Sequence, residues 1–89
     1  MDKKYKPFVD KLLETGFWSN IKSKKLADNK FIGYFYDPRK DVWVNCGNLS
    51  DSQKKTSKDA KKFAMDCAFE VNTIWRYASL EVNKKKNKV

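Results

Sequence analysis

Thr56-Ser57-Lys58-Asp59-Ala60-Lys61-Lys62-Phe63-Ala64-Met65-Asp66-Cys67-Ala68, continuing to Ala78, is the stretch that decides the fold. Ala60, Phe63, Ala64, Cys67, Ala68, Val71, Ile74, Trp75 and Ala78 recur at intervals of three and four, which predicts one long amphipathic helix. Thr56, with Asp59 three residues on, has the form of a capping box and marks its start. The small side chains at Ala60, Ala64, Cys67 and Ala68 let another backbone come close, so this face is expected to lie on a sheet, with Ala64 and Ala68 inward.

Upstream, Phe31–Tyr36 and Val42–Cys46 are rich in aromatic and β-branched residues and flank Asp37-Pro38-Arg39-Lys40, which predicts an antiparallel hairpin. Pro38 suits the second position of a type I turn, and the Asp37 carboxylate can accept the turn's amide hydrogens. Phe31, Gly33 and Phe35 alternate with Ile32, Tyr34 and Tyr36, and because both sets are apolar the pattern does not choose the inner face. Gly47–Lys55 reads as a loop in which Ser52–Lys55 could pair as a short third strand against Val42–Cys46. Pro7–Thr15 predicts a first helix: Phe8, Val9, Leu12 and Leu13 form an apolar stripe, proline fits the first turn, and Gly16 suits the end. Phe17 and Trp18 are expected to pack beneath it, and Ser19–Lys30 reads as a polar, basic connector anchored by Ile21 and Leu26. The expected architecture is α+β, α-β-β-(β)-α, with two helices on one face of a small antiparallel sheet. Residues 1–6 would form a basic arm, 7–82 a single domain and 83–89 a basic, disordered tail.

The chain has 89 residues, 40% of them hydrophobic and 15% aromatic, which suffices for one small core and argues against disorder. It contains no histidine, so the commonest general base, the triads built on it and mixed Cys/His zinc sites are excluded. The acidic residues are scattered, and Asp37 and Asp41 suit a turn better than a metal site. No catalysis, metal or cofactor is expected. The two cysteines, Cys46 and Cys67, fall in a predicted strand and helix; as lone apolar thiols they favour free thiols and a reducing, cytoplasmic or nuclear location. Met1–Lys6 lacks the apolar stretch of a secretory signal, and no apolar run approaches the roughly 20 residues that cross a bilayer, so no integral membrane contact is expected.

Twenty Lys+Arg against 11 Asp+Glu leave a net charge of +9, which makes a polyanion the expected partner. Arg39 and Arg76 are the only arginines, so contact with phosphates is favoured over guanine readout by guanidinium forks. The charge concentrates where the long helix begins. Lys54, Lys55, Lys58, Lys61 and Lys62 surround a helix start, where cations oppose the macrodipole and exposed amides attract anions. A solvated face of a lysine-rich chain is the plainer reading, but Lys58, Lys61 and Lys62 share the side opposite Ala60, Ala64 and Cys67, which favours a patch. Tyr34, Tyr36 and Trp43 read first as filling of a core or sheet surface and second as a base-stacking platform on an open face.

The run Thr56–Ala68 resembles the opening of the second helix in double-stranded RNA-binding domains, Ser-Lys-Lys-x-Ala-Lys-x-x-Ala-Ala, with Lys58, Ala60, Lys61 and Ala64 in matching positions. The resemblance extends over about residues 5–72. It implies an α-β-β-β-α fold, non-catalytic and shape-specific binding of duplex RNA, and phosphate contacts from the lysines at the second helix. It further implies minor-groove contacts from Lys11 and Glu14 on the first helix and from Arg39 and Lys40 in a turn between the first strands. Ser57 and Met65 depart from the motif, and a Gly-x-Gly before the helix is absent. Tyr36–Val44 with Asp59–Ala64 is also similar to the sheet-reading DNA-binding domain of plant ethylene-response factors, which implies major-groove contact but leaves the first helix unused. A third reading is a small viral- or phage-type protein that docks on a host protein, or pairs with a second copy, through Trp75 and Tyr77.

Overall fold

A computed structural model describes residues 3–45 and 53–87. A 3-10 turn (Lys3–Tyr5) leads into α1 (Lys6–Thr15), and another (Trp18–Asn20) leads into β1 (Ile21–Ala27). β2 (Lys30–Asp37), β3 (Val42–Val44), α2 (Ser57–Val71) and α3 (Thr73–Asn87) follow. The strands form one antiparallel sheet in the order β1-β2-β3, so the chain is α+β as expected.

α2 lies across β1 and β2 with Ala60, Ala64 and Ala68 buried against the sheet. Gly33 makes that approach possible: a Cβ there would overlap the Ala60 carbonyl and stand 2.9 Å from the Ala64 Cβ. Gly33 and Phe35 therefore face the helices, a choice that alternation alone leaves open. Thr56 Oγ1 accepts from the Asp59 amide at 3.1 Å, as its capping pattern predicts. α1 starts one residue before Pro7 and ends at Gly16, whose φ of +87° is a backbone state that favours glycine.

The single long helix is corrected to two. Asn72 takes an extended conformation (φ −104°, ψ 122°), ends α2, and accepts from the amides of Ile74 at 3.0 Å and Trp75 at 3.2 Å with its Oδ1. One asparagine closes one helix and caps the next, an exchange that unbroken apolar spacing conceals. The break turns α3 back so that Trp75, fully buried, lies among Phe17, Phe35 and Phe69 at centroid distances of 5.4, 5.8 and 5.5 Å. Its indole Nε1 donates to the Tyr36 carbonyl at 2.8 Å, which satisfies the ring's polar atom. The expected protein-docking or dimer surface through Trp75 and Tyr77 is thereby corrected: Trp75 is core, and Tyr77 packs on Tyr5 at 5.9 Å.

The basic connector Ser19–Lys30 contains β1, whose alternation puts Ile21 and Ser23 inward and Lys22 and Lys24 outward. Charges belong on such an exposed edge, and they hide the strand from a hydrophobic reading. β1 joins β2 through Asp28-Asn29, with Asn29 at φ 58°. The Pro38-Arg39-Lys40 turn thus connects the second and third strands, not the first two. The expected third strand is also displaced: Lys54 bonds both ways with the backbone of Phe31 on β2 (2.7 and 2.8 Å) instead of pairing with Val42–Cys46. Cys46 and residues 47–52 of the expected loop lie outside the described residues. Phe17 packs as expected, but Trp18 is 54% exposed.

Both ends are more regular than their charge suggests. Tyr5 of the supposed arm packs on Tyr77 and receives a hydrogen bond from the Arg39 guanidinium at 3.2 Å. α3 continues to Asn87 through the supposed tail, in a lysine-rich segment of high helix propensity. The free thiol expected at Cys67 is corrected as well, for Cys67 is disulfide-bonded. Cys46 is the chain's other cysteine, and cysteine usage no longer argues for a reducing compartment.

Three substitutions test this packing by urea denaturation. Ala64→Leu should overpack the α2–sheet contact and cost roughly 1–3 kcal/mol. Trp75→Ala should cost about 3–5 kcal/mol by emptying the aromatic core, and Asn72→Ala about 1 kcal/mol by removing the cap. An unchanged midpoint in Ala64→Leu would put the wrong face of α2 inward.

Candidate functional site

The sequence-derived candidates separate into two groups at opposite ends of the sheet. Lys54 is paired to Phe31 near the start of β2, and Lys55, Lys58, Lys61 and Lys62 follow it into the first turns of α2. Arg39 and Lys40 follow the other end of β2. The six residue steps of β2 from Phe31 to Asp37 span about 20 Å, at a rise of about 3.3 Å per residue, and separate Lys54 from the Pro38-Arg39-Lys40 turn. Lys11 belongs with the second group, since its Nζ lies 5.8 Å from the Tyr36 ring centroid, and Glu14 is exposed one turn further along α1.

At the α2 end, Lys55, Lys58 and Lys62 are exposed, while Lys54 and Lys61 are half-buried. Lys54 Nζ sits 4.4 Å from the Phe63 ring centroid, an attraction that holds the amine beside the helix. None of the five is ion-paired among the described residues. A hydrogen bond between the Ser23 and Ser57 hydroxyls ties the first residue of α2 to β1. Lys24, Lys25 and Lys30, on the strands flanking the Asp28-Asn29 turn, are exposed at the same end, and Lys25 pairs with Asp28 at 3.4 Å. Sequence reasoning passes over these three because it reads β1 as a connector. The alternation of Ile21 and Ser23 with Lys22 and Lys24 before an Asp-Asn turn is the signal that could have found them.

At the other end, the Pro38-Arg39-Lys40 turn is rigidly built. The buried Asp37 carboxylate accepts from the Arg39 amide at 3.0 Å, and the Asp41 amide donates to the Asp37 carbonyl at 2.8 Å. Both aspartates serve the turn, as expected. Asp41 has φ 55°, and its carboxylate accepts a hydrogen bond from the Tyr36 hydroxyl. That hydrogen bond, with smaller effects of desolvation and of the charges on Asp41 and Asp37, raises the Tyr36 phenol above its ordinary value of 10.0.

No helix among the described residues is long and apolar enough to cross a membrane. No protein-family model, curated protein or solved structure matches this chain. The arrangement of these side chains therefore carries the functional argument.

The Tyr36–Asp41 pair makes a checkable statement about pH. A phenol whose pKa is higher in the folded chain contributes stability that is full below the unfolded value and fades as the pH rises through the folded one. Phenolate absorbance should accordingly show one tyrosine ionising above the ordinary value, and Asp41→Asn should bring it back down. Identical titration curves for the two proteins would remove this pair from the account.

Proposed function

We propose that this chain binds duplex RNA by shape, without catalysis, and that the lysines at the start of α2 make the principal phosphate contacts. The observation that carries the reading is the clustering of Lys54, Lys55, Lys58, Lys61 and Lys62, without ion-pair partners among the described residues, at a helix N-terminus joined to the sheet through Lys54–Phe31 and Ser23–Ser57. Exposed amides and the positive end of the helix dipole add to the attraction for phosphate. The order α1-β1-β2-β3-α2 agrees with the order implied by the family resemblance. Lys25 and Lys30 beside the Asp28-Asn29 turn take the place first given to Arg39 and Lys40. Lys11, Glu14, Arg39 and Lys40 remain available for separate contacts at the far end.

Lysine-dominated contacts with an A-form duplex should discriminate little between sequences, since phosphates and 2′-hydroxyls repeat along it. DNA binding through the sheet is a weaker reading, because β1, β2 and β3 contain no arginine for base-edge forks.

Reversal of charge tests the assignment. Lys58→Glu/Lys61→Glu should lower affinity for an RNA duplex of about 16 base pairs by well over tenfold. The slope of log affinity against log salt should become shallower by about 0.9 for each phosphate that the variant no longer neutralises. Lys85→Glu/Lys86→Glu, at the far end of α3, changes net charge equally and should cost much less. Equal weakening in a gel-shift titration would show that only bulk charge matters and would overturn the assignment.

A further inference from the structure

The sheet surface turned away from the helices is a separate chemical environment. Gly33 and Phe35 point toward α2, so alternation places Tyr34 and Tyr36 on the outer face, where their cross-strand partners are Lys22 on β1 and Trp43 on β3. Trp43 is 41% exposed, Tyr34 and Tyr36 are half-buried, and none of the three is part of the core. The Tyr36 and Trp43 rings lie 5.4 Å apart at 51°. Lys22 Nζ stands 4.4 Å from the Trp43 centroid and 5.8 Å from that of Tyr34, and Lys11 flanks Tyr36. Lys24, across from the buried Ile32, extends the cationic rim, while the neighbouring carboxylate, Asp41, is engaged by the Tyr36 hydroxyl.

We propose that this outer face binds a single-stranded stretch of nucleic acid, with unpaired bases stacking on Tyr34, Tyr36 and Trp43 and phosphates meeting Lys22, Lys24 and Lys11. The face and an unpaired strand are chemically complementary. The face offers ring surfaces and cations within one side-chain length of each other, and an unpaired strand presents flat bases alternating with anions at a comparable spacing. A duplex keeps its base faces stacked inside, so this surface and the start of α2 suit different forms of nucleic acid. The inference stands apart from the duplex reading and does not require it.

Fluorescence anisotropy with a labelled oligouridylate and oligoadenylate of about ten nucleotides tests the proposal on the full chain. Trp43→Leu keeps apolar bulk and removes the aromatic face. It should weaken single-strand binding at least about fivefold, the lower range for removal of one stacking partner. Tyr34→Leu should do the same, and both variants should retain the wild-type melting temperature and bind the RNA duplex within about twofold of wild type. Unchanged single-strand affinity in the two folded variants would overturn the proposal, as would wild-type protein that binds no single strand. Weakening in Lys58→Glu/Lys61→Glu equal to that in Trp43→Leu would also overturn it, and so would displacement of the oligonucleotide by polyglutamate of matching charge, which would point to an acidic protein partner. Failure of duplex binding alone, with single-strand binding intact, would overturn only the duplex reading.

Discussion

Burial of Trp75 is the constraint on which the rest of the structure depends. Its ring meets Phe17 from the segment after α1, Phe35 from β2 and Phe69 from α2, so one side chain joins regions that are distant in sequence. Its indole hydrogen bond to the Tyr36 carbonyl also ties the first turn of α3 to β2 near that strand's end. This contact can form only because Asn72 interrupts the helix and lets the chain change direction. Without that interruption, the residues following Val71 would continue along the axis of α2, and Trp75 would be carried away from the aromatic rings.

A second constraint works at close range. Gly33, Ala60 and Ala64 bring two backbones nearly into contact, leaving no freedom for α2 to slide or roll on β2. The first turns of α2 are therefore held relative to the Asp28-Asn29 turn, and the Ser23–Ser57 and Lys54–Phe31 bonds secure the same junction. Lysines gathered at a helix N-terminus oppose the macrodipole by a few tenths of a kcal/mol each. In a domain of this size, that cost is more easily understood if an anion relieves it. The proposed phosphate contacts supply such a reason.

The two faces of the sheet divide the aromatic residues by role. Phe35 contributes to the core beneath the helices, whereas Tyr34, Tyr36 and Trp43 cover the opposite surface with lysine amines beside their rings. The Tyr36–Asp41 hydrogen bond couples that surface to the tight turn at the end of β2, so the positions of the outer rings follow from the turn's geometry.

The sequence by itself determined the α+β class, the inward face of α2, the cap at Thr56, the first helix and the Asp37–Asp41 turn. Each follows from local chemistry: apolar spacing, a hydroxyl placed before an amide, and a proline whose φ is already set. It also marked the lysine cluster, since those residues are neighbours along the chain. Only the tertiary structure decided the break at Asn72, whose side chain competes with a helix that apolar spacing would otherwise continue. Likewise, β1 is a strand because β2 offers it backbone partners, and its own lysine-rich composition does not announce it. The placing of Lys25 and Lys30 beside the turn at the α2 end, and of Lys22 and Lys24 on the face of Tyr34 and Trp43, depends on that pairing. Register brings together residues that no single stretch of sequence contains.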